Sequence, residues 1–402
     1  MAGFFQSLNI IDSRPPQSLI PQCGKCGLYK KCQSPKMPVS GEGRKRILVV
    51  GEAPGREEDE QGKPFVGQAG RFLERCLDHV GIDLRKDCWI TNALICRPPD
   101  NKIEDRRSVE YCRPNLIRTV EELKPETVLL LGTQAVRSLI GWVWKEDVGP
   151  ISRWVGWQIP IQRIRSWVCP TWHPSYLVRL GVRGATDEMP IAQLFIKHLR
   201  GVVQAGKREW TDAPIIKVRT ILDSNDAAEW VYEFRNRGRA FAFDFETDRL
   251  KPDEKSSSII SCALSDGNKT VAFPWGREVR KEMRSLLKSD VPKIGYNLKF
   301  EDRWVRKEYG FGVNNWIHDG MLAAHVLDNR QGTKSLKFQS FVRLGTDEYS
   351  EWTKKYMKSG GSNEANTLRD APIVSLLKYN GMDAALEYHI AQIQMKQIGS
   401  AQ

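Results

Sequence analysis

Short apolar runs that end in glycine or polar turns, and that alternate with longer amphipathic stretches, constrain the first half of this chain more than any other feature. The run at 46–52, RILVVGE, reads as a buried strand entering a turn, and Trp89–Ile95, Thr127–Leu131 and Trp167–Pro170 read as further strands. Between them, Arg71–Val80 places Phe72, Leu73, Cys76, Leu77 and Val80 on one helical face, and Gln134–Ile140 suggests a second helix. Strands without polar alternation are buried on both faces, so the pattern predicts an α/β domain with a parallel sheet covered by helices. Such sheets carry their chemistry on loops at the carboxyl ends of the strands. The polar stretch at 204–215, QAGKREWTDAPI, reads as a linker, which predicts domains over 1–204 and 216–402 joined by 205–215. A different order follows it. Ala240–Asp244, Ser258–Leu264 and Thr270–Pro274 suggest a three-strand meander, Arg277–Lys288 an amphipathic helix, and Lys293–Tyr296 another strand, hence a mixed sheet.

Composition narrows the partners. The chain has 402 residues, 41% of them hydrophobic and 27% charged, which excludes a disordered chain. No apolar stretch reaches the roughly 20 residues of a membrane span. The start, MAGFFQSLNIIDS, lacks the basic and apolar regions of a secretory signal, so a cytoplasmic protein without membrane contact is expected. The formal net charge of +12 favours a polyanion such as nucleic acid. Eight of the nine cysteines precede residue 170, which in a cytosolic chain suggests a metal site rather than disulfides. Cys23 and Cys26 form a close chelating pair, with Cys96 and Cys112 far downstream. Four thiolates hold zinc or an iron–sulfur cluster, and the spacing leaves both open. Cys32 is an additional candidate ligand, whereas Cys76, Cys88 and Cys169 read as small buried hydrophobes.

At the end of the first strand, Gly51-Glu52-Ala53-Pro54-Gly55 lets backbone approach a ligand closely and places Glu52 where a carboxylate could orient a water. The ordered segments GEAPGREEDEQGKPFVGQAG, TNALICRPPDN, YCRPNL, LLLGTQAVRSLIG and TWHPSYLVR resemble the motifs of family 4, iron–sulfur uracil-DNA glycosylases, over roughly residues 20–200. The resemblance implies a [4Fe–4S] cluster on Cys23, Cys26, Cys96 and Cys112. It also implies Phe65 as an aromatic floor for a flipped uracil, Asn92 as the amide reading its edge, and Gly51, Ala53 and Pro54 as pocket backbone. His173 would hydrogen-bond the departing base and Glu52 would position water or stabilise the sugar cation. The chain departs from the pattern at Cys32, where a basic residue is expected, at Asp100, where glycine is expected, and in the tryptophan-rich segment 141–166.

Phe243-Asp244-Phe245-Glu246 puts two carboxylates on one face of a strand, because residues two apart point the same way. Tyr296-Asn297-Leu298-Lys299-Phe300-Glu301-Asp302 and Tyr379-Asn380-Gly381-Met382-Asp383 follow, the last with Tyr and Asp one helical turn apart. Converging acids of this kind suit two-metal phosphoryl chemistry. The three motifs, with HDGMLAAHVLD and GTKSLKF between them, resemble the 3′–5′ proofreading exonuclease domain of family A DNA polymerases over about residues 215–395. That resemblance implies an RNase H-like fold, Mg²⁺ or Mn²⁺ held by Asp244, Glu246 and Asp383, and water oriented by Tyr379. Glu301 stands where the family has aspartate and, by its longer stem, is expected to reach a metal as a fourth acid, with Asp302 one residue out of register; Asp319 reads as a helix N-cap.

The expectation is a two-domain DNA-processing enzyme acting on single-stranded 3′ ends and uracil-containing DNA. The architecture resembles the N-terminal part of certain bacteriophage DNA polymerases, which implies a separate polymerase chain as partner and the host bacterial cytoplasm as location. The alternative is a proofreading exonuclease whose glycosylase-like domain only binds DNA or a partner.

Overall fold

The computed structural model describes residues 20–358, 361 and 363–399. They divide into two units, one comprising 20–213 with 341–347, the other 214–340 with the described residues from 348 onward. Residues 208–217 carry no regular element.

In the first unit, β1 (Ile47–Gly51), β2 (Cys88–Asn92), β3 (Thr127–Leu131), β4 (Ile159–Ile161) and β5 (Ser166–Thr171) form one sheet in the order β2-β1-β3-β5-β4. All pairings are parallel except that of β4 with β5. Every residue of β1, β3 and β5 is buried, as uninterrupted apolar strands require when helices cover both faces. The anticipated helices run over Gln68–His79 and Thr133–Val143. The strand expected to reach Ile95 stops at Asn92. There Ala93 and Leu94 donate their backbone N–H groups to Gly51 and Glu52 carbonyls. The remaining apolar residues turn into a small separate core of Leu28, Leu94, Cys96, Val109 and Cys112. Cys76, Cys88 and Cys169 are buried in or beside the sheet. In the tryptophan-rich segment, Trp144 and Trp154 pack edge to face at 5.9 Å, and Trp154 Nε1 donates to the Val148 carbonyl at 2.6 Å.

In the second unit, β6 (Val218–Thr220), β7 (Phe241–Thr247), β8 (Ile259–Ser265), β9 (Thr270–Pro274), β10 (Lys293–Gly295) and β11 (Trp316–Asp319) adopt the order β11-β10-β7-β8-β9-β6. The meander β7-β8-β9 is antiparallel, and β10, β11 and β6 join in parallel. The two units thus give the expected α/β chain: a parallel-rich sheet, then a mixed sheet. The strand expected to end at Asp244 continues to Thr247, so Glu246 lies inside it. Alternation along FAFDFET explains this. Phe241, Phe243 and Phe245 enter one core, while Ala242, Asp244 and Glu246 face the other side, where helix Ile373–Gly399 packs. No helix among the described residues is long and apolar enough to cross a membrane.

Candidate active sites

Four strand ends build the first site. Gly51 ends β1 opposite Asn92 at the end of β2, Gly132 follows β3, and His173 follows β5. A cleft of about 710 Å³ opens there, lined by Glu52, Ala53, Pro54, Phe65, Asn92 and His173 among others. A side chain at Gly51 would collide with Asn92 Oδ1 at 2.3 Å and the Phe65 ring at 2.6 Å, so glycine is what lets this amide and ring come together. Glu52 Oε1 accepts from Gln134 N–H at 3.1 Å, at the N-terminus of helix Thr133–Val143. Gly132, at φ 91°, makes room for that carboxylate, since a Cβ there would sit 2.6 Å from Glu52 Oε1.

Phe65 is buried and held at φ 56°, a left-handed conformation that costs a bulky residue roughly 1–2 kcal/mol. Arg85 holds it there by donating to the carbonyls of Pro64 at 2.9 Å and Phe65 at 2.6 Å. The ring stacks on His173 with centroids 6.3 Å apart and planes 29° from parallel. His173 N-caps helix Pro174–Arg179: Nδ1 accepts from Ser175 N–H at 3.3 Å and meets the Ser175 hydroxyl at 2.8 Å. An Nδ1 that accepts from a backbone N–H carries no proton, which leaves the imidazole proton on Nε2. Burial holds the His173 pKa below its usual 6.5, outweighing the Glu52 carboxylate, so the ring is neutral at pH 7. Glu58, which sequence reasoning passed over, accepts from Gly55 N–H at 3.0 Å and Gly67 N–H at 2.9 Å and closes the loop that carries Phe65. Its signal was the glutamate three residues past the turn glycine. Asp100 also lines the cleft; its φ of 50° explains why glycine is expected there and why aspartate, which tolerates this region, can replace it.

Cys23 and Cys26 on a single helical turn, Cys96 after β2 and Cys112 on helix Arg107–Leu123 line one small cavity with Leu28, Leu94 and Ile95. Sulfurs around a tetrahedral zinc, at Zn–S of about 2.3 Å, lie about 3.8 Å apart. Among the described residues, no three thiols fall within 4.8 Å of one another. Four sulfurs lining one cavity supply the thiolate donor set of an iron–sulfur cluster. Two N–H groups reach the sulfurs, Lys36 N on Cys96 Sγ at 3.2 Å and Asn115 Nδ2 on Cys112 Sγ at 3.5 Å, the contacts that tune cluster potentials. Burial pushes the Cys96 thiol up to about 12, so a cation is needed to hold it as thiolate. Cys32 packs beside Cys96 but does not line the cavity.

The second site lies beneath helix Ile373–Gly399. Asp244, Glu246 and Asp383 offer carboxylate oxygens all within 4.8 Å of one another. Asn380 donates to Asp244 Oδ2 at 2.6 Å and is itself bonded by Ser261 at 3.0 Å. Tyr379 and Tyr349 both hydrogen-bond Asp383, and their rings lie 5.9 Å apart. Burial, then mutual repulsion, raises the pKa values of Asp244 and Glu246 well above the carboxylate range, with Lys337 partly offsetting this at Glu246. Glu301, on helix Leu298–Tyr309, is buried and borders Asp244 and Glu246 without joining the 4.8 Å group. Asp302 points elsewhere, accepting from Arg306 at 2.6 Å and Val313 N–H at 2.9 Å. Asp319 caps helix Gly320–Leu327 through Met321 and Leu322, and also accepts from Asn297 and Leu298. Sequence reasoning missed Asn380, Tyr349 and Glu387. Asn380 lies within the YNGMD motif, and Glu387 sits one helical turn past Asp383. The thiol group and the acid group thus fit the two expected cofactors, an iron–sulfur cluster and divalent Mg²⁺ or Mn²⁺.

Comparison with known proteins gives each unit a relationship. The uracil DNA glycosylase superfamily matches residues 38–189, and a 3′-5′ exonuclease family matches residues 218–398. The type-4 uracil-DNA glycosylase of Pyrobaculum aerophilum is 36% identical over 187 residues, covering 46% of this chain and 94% of that protein. That of Saccharolobus solfataricus is 34% identical over 211 residues, 52% of this chain and 91% of that protein. A DNA polymerase of Bacillus phage SP01 is 24% identical over 329 residues, 73% of this chain but 34% of that protein. Through its first unit the chain belongs to the type-4 uracil-DNA glycosylases, and a 3′-5′ exonuclease domain is fused behind it.

Proposed function

We propose that this protein excises uracil from DNA with its first domain, residues 1–204, and removes nucleotides from DNA 3′ ends with its second, residues 216–402, with 205–215 between them. The observation that carries the reading is the convergence of Asp244, Glu246 and Asp383, from a strand and a helix more than 130 residues apart in sequence, into one 4.8 Å group. Divalent ions bound there would supply an activated water and support the leaving oxygen of the phosphodiester. The chain's own part is to hold Asp244 through Asn380, to fix Asp383 through Tyr349 and Tyr379, and to place the Tyr379 hydroxyl beside the metal acids to orient the water.

In the cleft, a flipped uracil lies on the Phe65 ring, and the Asn92 carboxamide donates to a carbonyl and accepts from N3–H. The neutral His173 imidazole offers its Nε2–H to the base oxygen on which charge develops as the glycosidic bond breaks. Glu52, kept in place by Gln134 N–H, orients water or stabilises the sugar cation. Cys23, Cys26, Cys96 and Cys112 would hold a [4Fe–4S] cluster that ties the 20–32 segment to the end of β2. Likeness to about a third of a phage DNA polymerase, across both domains of this chain, supports a role in phage DNA replication in a bacterial cytoplasm.

The test uses two substrates. Wild type should yield abasic sites in uracil-containing single strands and Mg²⁺- or Mn²⁺-dependent shortening of 3′-labelled DNA. Glu52→Ala should lose the first alone and Asp244→Ala the second alone. Shortening that persists in Asp244→Ala refutes the exonuclease assignment. Absence of abasic product from cluster-loaded wild type leaves a binding role for the first domain.

A further inference from the structure

The amino ends of β1, β3 and β5 border a second large cavity, which neither reaction uses. We propose that it is a non-catalytic binding site for single-stranded DNA, with Lys124 and Arg163 on a phosphate and Trp142 against a base; the choice of DNA among polyanions rests on the substrate reading above.

The cavity encloses about 680 Å³. Arg46 precedes β1, Lys124 and Glu126 precede β3, and Arg163 and Arg165 precede β5, so it lies at the opposite end of the first sheet from the uracil cleft. Strands of five or six residues hold the two places roughly 17 Å apart, and both can be occupied at once. Four basic residues line the cavity against two acidic ones, Glu121 and Glu126. Arg46 pairs with Glu126 at 3.1 Å, and Arg165 meets Asp212 at 3.1 Å. Among the described residues, no ion pair engages the side chain of Lys124 or of Arg163. The Arg163 guanidinium lies 4.3 Å from the centroid of the half-buried Trp142 ring. A guanidinium held on an indole is ordered in advance and keeps its N–H fork for phosphate. Arg46, Lys124 and Arg165 sit at φ 52°, 47° and 48°, where glycine or asparagine would be relaxed, and all are exposed. Charge kept at strained, exposed positions marks binding rather than packing. Cations interleaved with indoles suit a single strand, whose phosphates meet the charge and whose bases meet the rings. The band continues past the cavity, with Arg165 5.6 Å from the Trp210 ring and Arg208 4.8 Å from the Trp167 ring. Trp142 and Arg163 both belong to the tryptophan-rich segment 141–166 that departs from the glycosylase motifs, and the site gives that departure a use.

The experiment follows the fluorescence anisotropy of a labelled oligothymidylate, long enough to reach both ends of the sheet, as full-length protein is added in chelator at several salt concentrations. The double variant Lys124→Gln, Arg163→Gln should bind on the order of tenfold more weakly than wild type, and the slope of log affinity against log salt should lose about 1.4, the share of two phosphate contacts on a single strand. Trp142→Ala should also weaken binding, and Trp142→Phe, which keeps a ring, should restore most of it. Wild-type affinity and slope in the double variant would overturn the proposal, as would Trp142→Phe binding no better than Trp142→Ala. A second measurement needs no variant. Ultraviolet crosslinking of wild type to an oligonucleotide carrying 5-iododeoxyuridine should label Trp142, and crosslinks confined to the uracil cleft and the exonuclease site would overturn the proposal. Wild type that crosslinks at Trp142 but yields neither abasic sites nor 3′ trimming would support this site and overturn the activities proposed above.

Discussion

Asp383→Asn should stabilise the metal-free exonuclease domain while abolishing its chemistry. Asp383 is 9% exposed, and burial raises its pKa from 3.8 to about 6, against the opposing pull of the Tyr349 and Tyr379 hydroxyls and Lys337. Between those two values the folded protein holds a proton that the unfolded chain has released. The stability linked to that proton is therefore fully present below the unfolded pKa and lost as pH rises through about 6. At about 1.4 kcal/mol per pH unit, the ionised carboxylate costs the metal-free fold about 3 kcal/mol at neutral pH. Asparagine escapes that cost but receives the tyrosine hydroxyls on a neutral oxygen, a loss of about 1 kcal/mol. The net gain of about 2 kcal/mol corresponds to a rise of roughly 4–8 °C in a domain of this size. Scanning calorimetry of chelator-treated protein at about pH 8 and again at about pH 5 measures it, and the gap should shrink at the lower pH, where the wild-type group is protonated. Saturating Mg²⁺ should reverse the order, since ions bind only the folded wild-type site. A variant no more stable than wild type at the higher pH, or a gap that ignores pH, refutes the claim that this acid is held in place at the expense of stability.

Gly132→Ala forces a side chain into a left-handed position facing Glu52, which should cost about 1–2 kcal/mol and abolish abasic-site formation without touching 3′ trimming; a normal glycosylase rate in that variant would contradict the Glu52 assignment. Purified protein should be brown with absorbance near about 400 nm, lost in Cys112→Ala; colourless protein with stoichiometric zinc would remove the cluster. Asp302→Ala should change metal-dependent trimming by less than about twofold, because Asp302 serves Arg306 and Val313, whereas Glu301→Ala should slow it by roughly a hundredfold or more. Equal losses in the two variants would mean that the second acid had been placed wrongly.

Local physics explains what was readable in advance. The phenylalanines of FAFDFET alternate with Ala242, Asp244 and Glu246, so the strand's two faces were assigned before any partner was known. Tyr379 and Asp383, four apart, could share only a helix face. Uninterrupted apolar runs such as RILVVGE, which enters a glycine turn at Gly51, announced a parallel sheet with its site at the carboxyl ends. Strand ends were less legible, because Leu94 and Ile95 are as apolar as strand residues and leave the sheet only to cover the cysteine cavity.

The supporting residues were not legible, because their roles depend on partners far away in the chain. Arg85 means nothing until the Pro64 and Phe65 carbonyls come within reach, nor does Glu58 until the N–H groups of Gly55 and Gly67 converge on it. Asn380 becomes a clamp only when its helix lies across β7, and Tyr349 acts on Asp383 from 34 residues away in sequence. Glu301 and Asp302 are adjacent acids that spacing could not separate; a helix about 3.6 residues per turn sends one inward and the other outward. The sequence alone determined the α/β character of both halves and the shared face of Asp244 and Glu246, because strand alternation and helical period act over a few residues, while the cysteine set and the aromatic floor were implied by resemblance of the motifs. Tertiary structure decided which acids enter the metal group and which groups hold Phe65 and Asp244 in place, because burial and pairing across the chain exist only once the strands and helices have packed.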